Sequence, residues 1–216
     1  MWFGTETGLA RFDGRRTQSI NDRALPTPVR ILALQTDKDG AMWIGTDAGA
    51  LRYNAGEFIK INETSGQTIT AIATDSSGSV FMTSEQGRVY ETRGRNTREL
   101  LNRPLESSDR DHPGPLPITS INVANGRVFI GTQSRGVLEI ANGASKEVQM
   151  KPVAFFVNAL ERDREGKLWV GARAKKEEPG TLSGDELSNL KRLEAPTGPV
   201  MTLKRIEVAG MRSGLA

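Results

Sequence analysis

The sequence predicts an all-β fold in which one four-stranded unit recurs about five times. A short motif, an aromatic residue followed by small residues, recurs at spacings of 41, 38, 48 and 40 residues. Turn signals flank each copy at matching offsets. Repeats of about 40 residues with four short strands are typical of the blades of a β-propeller, whose radial arrangement leaves few unpaired strand edges. No helical pattern competes with this interpretation; the best candidate, 184–193, fits a strand with an irregular loop nearly as well.

Composition excludes several classes of protein. The chain has 216 residues, 37% hydrophobic and 25% charged, which is ordinary for one globular domain with a sizeable core. It has no cysteine, so disulfide frameworks, thiolate metal sites and cysteine nucleophiles are excluded, and its one histidine, His112, excludes multi-histidine metal centres. A net charge of +3 does not predict a nucleic-acid partner. No apolar run reaches the roughly 18 residues that predict a membrane span.

Each repeat is anchored by one aromatic residue in its second strand. The anchors are Trp2, Trp43, Phe81, Phe129 and Trp169. Each large apolar side chain gains about 1.5–3 kcal/mol when buried, so we expect the anchors to pack between blades. The alternative is a ring of aromatic side chains that stack on a ligand. The Gly-Thr pair that follows most anchors indicates close packing of neighbouring sheets, with an anion site as the alternative.

A turn of the form Asp-x-x-Gly precedes the internal anchors. It reads Asp37–Gly40, Asp75–Gly78 and Asp163–Gly166, with Asn125-Gly126 in the remaining copy. Asp at the first position and Gly at the fourth favour a type I turn. Calcium binding is the alternative, with Asp37 and Asp39 as the best pair. Calcium requires six to eight oxygen ligands and these turns are dispersed, so the sequence predicts no metal site and no cofactor.

One domain is predicted over 1–216. Its units are 1–22 (partial), 28–63, 68–101, 116–151, 153–195 and 199–216 (partial). Met1-Trp2 aligns with Met42-Trp43, so the first unit lacks its innermost strand, whereas 200–208 reads as an innermost strand. Two expectations follow. The C-terminal strand completes the N-terminal blade and closes a five-bladed ring, or the chain is a piece of a larger propeller, which is the interpretation we favour.

The repeat resembles that of the two-component regulator propeller family. Residues 1–14 and 29–56 carry the resemblance most closely, including Arg11-Phe12-Asp13-Gly14 and Trp43-Ile44-Gly45-Thr46. Residues 155–172 match well, and the copies at 69–94 and 118–143 are degenerate. The resemblance implies a bacterial sensor β-propeller of hybrid histidine kinases and related signalling proteins. It also implies a periplasmic or otherwise extracytoplasmic location, although the first residues show no secretion signal.

A candidate binding surface follows from propeller geometry. The innermost strands lie near the axis, and the turns between the second and third strands emerge on the same face as the connections between blades. These turns differ in sequence while their scaffold repeats, which is typical of a recognition rim and equally of unconstrained surface. The predicted rim residues are Glu6, Asp47, Glu85, Arg135 and Arg173. The expected ligand is a small molecule, with glycans as one class, or a protein; the oligomeric state stays open.

The sequence predicts a non-enzymatic sensor or interaction module, because no catalytic group of residues is recognisable. The alternatives are a protein-binding scaffold and a propeller enzyme, such as a lyase or a glycan-processing enzyme. Asp47 and Glu85 are candidate acids for an enzyme, and Asp109, Asp111 and His112 in the longest insertion could form a general base. The mixed-charge segment 173–180 is a second candidate binding loop. A deep axial pocket favours a small ligand, and a flat, apolar-rimmed face favours a protein.

Overall fold

The chain forms five antiparallel β-sheets. The computed structural model describes residues 1–25, 28–107, 113–124, 126–148, 154–163, 168–174 and 202–206. The first two sheets contain β1 (Trp2–Thr5), β2 (Gly8–Phe12), β3 (Thr17–Ile20), β4 (Ile31–Thr36), β5 (Met42–Thr46), β6 (Gly49–Asn54) and β7 (Glu57–Ile61). The third and fourth contain β8 (Ile69–Thr74), β9 (Val80–Ser84), β10 (Val89–Arg93), β11 (Asn96–Glu99), β12 (Ile118–Ala124), β13 (Arg127–Thr132), β14 (Val137–Ala141) and β15 (Ala144–Glu147). The fifth contains β16 (Ala154–Arg162), β17 (Leu168–Ala174) and β18 (Thr202–Ile206).

Each sheet is one blade with its strands in sequence order. Blades 2, 3 and 4 have four strands each, and in the described residues blades 1 and 5 have three. The innermost strands β4, β8, β12 and β16 contact one another in that order. The short 3-10 turn at Asn62–Thr64 links blade 2 to blade 3. The β-propeller architecture predicted from the repeat is therefore confirmed.

The core lies between blades. Each of the four hydrophobic clusters combines residues of two neighbouring blades, as where Trp43 and Ala50 of blade 2 pack with Ile69 and Met82 of blade 3. The anchors of the middle blades are buried, Trp43 at 3%, Phe81 at 5% and Phe129 at 0% exposure. Trp169 is 39% exposed. Trp2 is partly buried against the cluster that blades 1 and 2 share, so only the anchors of the three middle blades are fully buried.

In blades 1, 2 and 4 the glycine two residues after the anchor is required by this packing. A Cβ at Gly45 would lie 2.7 Å from the carbonyl oxygen of Ile69 and 2.9 Å from its Cγ2, in the next blade. A Cβ at Gly131 would lie 2.5 Å from Cγ1 of Val157, again in the next blade. Contacts this short are forbidden in a close-packed interior. The packing interpretation of the Gly-Thr pairs is confirmed for their glycines.

The Asp-x-x-Gly turn holds the anchor indole. Asp37 Oδ1 accepts hydrogen bonds from the backbone N–H of Asp39 at 3.0 Å and of Ala41 at 2.9 Å, and Oδ2 accepts the indole N–H of Trp43 at 2.8 Å. The indole of Trp169 donates to Asp163 Oδ2 at 2.8 Å. This shared contact explains the six-residue spacing between aspartate and tryptophan. Among the described residues no three or more acidic or histidine side chains are grouped to hold a metal ion.

The C-terminal strand lies in a different place from the one predicted. β18 pairs with β17 as the third strand of blade 5, so it neither starts a further blade nor completes blade 1. Its register places Arg205 opposite Trp169, just as Arg52 lies opposite Trp43 in blade 2. The sequence did not predict this pairing, because β17 and β18 are separated by the connection over 175–201, whereas a turn of a few residues separates the corresponding strands of the other blades.

Candidate functional site

The candidate site is the face formed by the turns between the second and third strands of each blade. These turns bond to the chain just before each innermost strand: the N–H of Asp47 donates to the carbonyl of Arg30 at 3.2 Å. The N–H of Glu85 donates to Thr68 at 2.9 Å in blade 3. The turns therefore share one face with the connections between blades, as the strand order predicts. We call this surface the rim face.

Threonine hydroxyls fix the backbone of the rim turns. Thr46 Oγ1 donates to the carbonyl of Gly49 at 2.7 Å and accepts the N–H of Ala48 at 3.0 Å. Thr132 Oγ1 donates to the carbonyl of Gly136 at 2.8 Å in the same manner. Both threonines are buried, so the backbone of each turn is fixed by a hydroxyl inside the blade while the residues at the end of the turn are exposed. The Thr of each Gly-Thr pair thus positions the rim residues.

The structure places four of the five predicted rim residues on this face. Glu6, Asp47 and Glu85 are exposed in their turns, and Arg135 is half-buried in the turn of blade 4. Arg173 is different, because its backbone lies within β17 opposite Phe156 and not in a turn. The prediction assumed a short turn after Gly171, but the strand continues to Ala174. A binding role for these residues stays a prediction.

Other predicted candidates lie outside the described residues. They are Asp109, Asp111 and His112 of the longest insertion, the segment 175–180, and the helix candidate 184–193. β17 ends and β18 begins at the end of blade 5 that corresponds to the rim turns of the other blades.

The rim face changes charge from blade to blade. Blades 1 to 3 present the carboxylates of Glu6, Asp47 and Glu85, whereas blade 4 presents the guanidinium of Arg135. Arg135 Nε donates to Glu147 Oε1 at 3.1 Å, and Glu147 is itself 52% exposed. Because Glu147 is more than half exposed, solvent screens this pair, and it contributes only about 0–1 kcal/mol.

Arg135 also lines an open cleft of about 640 Å³ beside blade 4. One wall is the connection from blade 3, where Leu101 bridges to Gly143 and the N–H of Asn102 donates to the carbonyl of Gly143 at 3.1 Å. The polar lining residues are Asn102, Arg103, Glu106, Ser107, Arg135 and Ser145, and the apolar ones include Leu101, Pro104 and Leu105. Sequence reasoning missed this cleft. The spacing of 48 residues between Phe81 and Phe129 was its signal, because the additional residues build the wall.

The charged residues opposite the anchors have structural partners. Arg52 lies over the ring of Trp43, with its guanidinium carbon 5.9 Å from the ring centre. In blade 3 the same strand position is Glu91, which is 2% exposed and accepts hydrogen bonds from Arg93 at 2.6 Å and from Arg98. Glu139 holds this position in blade 4, and its hydrogen bonds raise the pKa of Arg127. These charged residues are thus paired with groups of their own blades.

Comparison with known proteins agrees with this architecture. A family model described as two component regulator propeller matches residues 25–48, which contain the inner strand, turn and anchor of blade 2. No curated protein matches the sequence. In the described residues no helix is long and apolar enough to span a bilayer.

Several solved structures share the fold. The extracellular domain of the putative hybrid two component system BT4673 from B. thetaiotaomicron is 19% identical, with a TM-score of 0.62 over 79% of this chain and 24% of that one. The corresponding domain of BT3049 from the same organism is 20% identical, with a TM-score of 0.57 over 79% and 24%. Virginiamycin B lyase from Staphylococcus aureus is 12% identical, with a TM-score of 0.59 over 80% and 61%.

The chain spans about a quarter of the length of the two extracellular domains. At these identities the structures establish the fold alone. The family match covers residues 25–48 of the best-formed repeat, and an anchor strand followed by a rim turn recurs in blades 1, 3 and 4. The chain is therefore a β-propeller, and its residues 25–48 match the two component regulator propeller repeat.

Proposed function

We propose that this chain is a non-enzymatic sensor propeller that binds a polar ligand on its rim face, outside the inner membrane. The family match and the likeness to extracellular domains of two component systems support a sensor role and an extracytoplasmic location. The fixed backbone and varied side chains of the rim turns support recognition at that face. Passing the signal to an output module is part of the proposal, because the chain spans only part of those proteins.

The cleft that contains Arg135 carries the proposal. It is lined by two arginines, Arg103 and Arg135, one acidic residue, Glu106, and the hydroxyl and amide residues Ser107, Ser145 and Asn102, beside the apolar Leu101, Pro104 and Leu105. Arginine binds carboxylates in a bidentate manner, and hydroxyl and amide groups match the hydroxyls of a sugar. The ligand class that fits best is a small polyhydroxylated anion, such as an acidic oligosaccharide.

Ligand binding is tested by thermal shift and titration calorimetry with a panel of acidic and neutral oligosaccharides. A ligand at 100 times its Kd stabilises the folded state by about 2.7 kcal/mol. We expect Arg135→Ala to weaken binding of the best acidic ligand at least tenfold. Arg95→Ala is the matched control, because Arg95 is an exposed arginine in the turn between β10 and β11, at the opposite end of its blade. Binding that Arg135→Ala leaves unchanged would contradict the assignment of the cleft.

The non-enzymatic part of the proposal has its own test. Enzymes such as virginiamycin B lyase have a similar fold, so fold alone does not decide the matter. The candidate acids Asp47 and Glu85 lie on turns of different blades, and Asp47 Oδ1 accepts the backbone N–H of Arg30 at 3.3 Å. We expect mass spectrometry to recover any bound saccharide unchanged, and labelled ATP to leave no phosphate on the protein. Conversion of the saccharide or phosphate transfer would refute this part.

A further inference from the structure

Blade 3 contains a buried carboxylate that is bonded to two arginines. Glu91 of β10 is 2% exposed. Its Oε1 accepts a hydrogen bond from Nε of Arg93 at 2.6 Å, and its Oε2 accepts hydrogen bonds from Nε of Arg98 at 2.8 Å and from Nη2 of Arg98 at 2.6 Å. A buried carboxylate requires partners of this kind, because an unpaired charge in the interior is strongly unfavourable. Glu91 therefore fixes the positions of both guanidinium groups.

The strand register explains why these three side chains meet. Glu91 and Arg93 are two residues apart on β10, so their side chains leave the same face of the sheet. Arg98 lies directly opposite Glu91 on β11. The side chains of Arg93 and Arg98 are nevertheless 69% and 71% exposed. Each guanidinium thus has one edge on Glu91 and the rest of its surface open to solvent.

Each guanidinium also keeps donors that Glu91 does not use. Arg93 bonds to Glu91 through Nε alone, so both of its Nη groups are free of that carboxylate, and Arg98 likewise keeps Nη1. In the part of the chain that the structure describes, neither arginine pairs with a second carboxylate. Because Glu91 already restrains both side chains, a ligand that binds them loses less conformational entropy than one that binds two freely moving arginines.

Neutralisation of the buried acid accounts for only one of the two arginines. In blade 4 the corresponding acid, Glu139, is bonded to one arginine, Arg127, and the residue at the position of Arg93 is Ala141. One guanidinium is therefore enough to pair with a carboxylate at this place in a blade. In blade 3 the negative charge of Glu91 offsets one positive charge, and a second positive charge remains.

We propose that Arg93 and Arg98 bind a tetrahedral oxyanion, phosphate or sulfate, either as the free ion or as a monoester on a larger ligand. A planar carboxylate is satisfied by the edge of one guanidinium, as Glu139 is by Arg127. A phosphate or sulfate group presents at least three oxygens in different directions, which match donors from two guanidinium groups. The site lies beside the turn between β10 and β11, at the end of blade 3 opposite the rim face, and it shares no residue with the cleft.

The test follows the Nε–H resonances of Arg93 and Arg98 in a ¹H–¹⁵N spectrum of the full chain. Sodium phosphate replaces sodium chloride at constant ionic strength, and methyl phosphate and sodium acetate are titrated in the same way. At about pH 8 a phosphate monoester is a dianion, because its second pKa is about 6. We expect phosphate to shift both resonances saturably and acetate to bind about tenfold more weakly.

Methyl phosphate distinguishes the two sources of the anion. Binding as strong as that of inorganic phosphate would show that the site accepts an ester on a larger ligand. Binding of inorganic phosphate alone would assign the site to the free ion. Absence of saturable shifts with both phosphates, or shifts of equal size and affinity with acetate, would overturn the proposal.

Arg93→Lys separates donor geometry from charge. Lysine keeps the positive charge and can pair with Glu91, but it lacks the second and third nitrogens of the guanidinium. We expect this variant to weaken phosphate binding about tenfold. The matched control is Arg95→Lys, because Arg95 lies in the turn of the same hairpin without a bond to Glu91, and its effect should stay below about twofold.

Thermal unfolding of both variants establishes that they are folded. Equal affinity of Arg93→Lys and wild type would show that net charge alone attracts the anion, and it would refute the assignment of a site. The wild-type comparison of phosphate with acetate decides the proposal even where a variant is unstable. These results do not depend on saccharide binding at the cleft, because the resonances that are followed belong to neither Arg103 nor Arg135.

Discussion

Gly45 and Gly171 occupy the same position of the repeat but have different surroundings. A Cβ at Gly45 would lie 2.7 Å from a backbone oxygen of the next blade, whereas the nearest atom to a Cβ at Gly171 is Cβ of Ala159 at 3.7 Å. Neither glycine has a backbone φ in the left-handed region, so alanine is sterically acceptable to the backbone at both. Comparison of the two glycines therefore isolates the contribution of packing between blades to the free energy of unfolding.

The two alanine variants should change stability in opposite directions. Overpacking of a close-packed site costs about 1–3 kcal/mol. Replacing glycine by alanine where no clash arises stabilises by about 0.4–1 kcal/mol, because the unfolded chain loses freedom. We therefore expect Gly45→Ala to lower the free energy of unfolding by about 0.5–2 kcal/mol, and Gly171→Ala to leave it unchanged or raise it slightly.

Urea unfolding followed by tryptophan fluorescence measures both variants. For a chain of this size about 1 kcal/mol corresponds to a change in Tm of about 2–4 °C, so thermal unfolding gives a second measurement. Equal destabilisation by the two variants would refute the reasoning, because it would mean that the glycine is required by packing within its own blade and not by contact with the next blade. Stabilisation by Gly45→Ala would refute it as well.

Two further predictions concern the turn aspartates. Asp37→Ala removes the acceptor of two backbone N–H groups and of the Trp43 indole N–H. Each hydrogen bond contributes about 0.5–1.5 kcal/mol, so this variant should lower the free energy of unfolding in urea by about 2–3 kcal/mol. The control Asp39→Ala, at an exposed position, should lower it little. Burial opposes ionisation of Asp75, but hydrogen bonds from Ser77 and nearby backbone N–H groups outweigh it and hold the pKa of that carboxyl below its usual 3.8. The contribution of the Asp75 carboxylate to the free energy of unfolding is present above that value and is lost as pH falls through the lower folded pKa. Asp75→Asn should therefore lose less stability than wild type between about pH 5 and about pH 2. Identical dependence of the free energy of unfolding on pH in the two proteins would contradict this.

The fold was predictable because its signals are local and repeated. A turn, an anchor and a glycine recur within about ten residues of one another, so one well-formed copy such as 37–46 explains the degenerate ones. The position of β18 was not predictable in the same way. Its signal, an arginine opposite the anchor as at Arg52, is separated from Trp169 by the connection over 175–201, and sequence distance places no constraint on antiparallel pairing.

The candidate site was only partly predictable. Strand order alone places Asp47 and Glu85 on the rim face, because it determines at which end of a blade each turn emerges. The cleft depends on how a connection crosses the neighbouring blade, as at the bridge between Leu101 and Gly143. A contact of this kind depends on packing between distant segments, for which the sequence contains no periodic signal.

The division of the core into clusters that each join two blades has an evolutionary consequence. A duplicated repeat needs only to match its immediate neighbours, because each cluster in the part of the chain that the structure describes joins only two blades. Whole repeats can therefore be gained or lost by recombination without a redesign of the interior. Divergence can also proceed at different rates along the chain, with turns at the surface exchanged while anchors and glycines persist. Selection can thus act on the number of repeats separately from the surface turns that recognise a ligand.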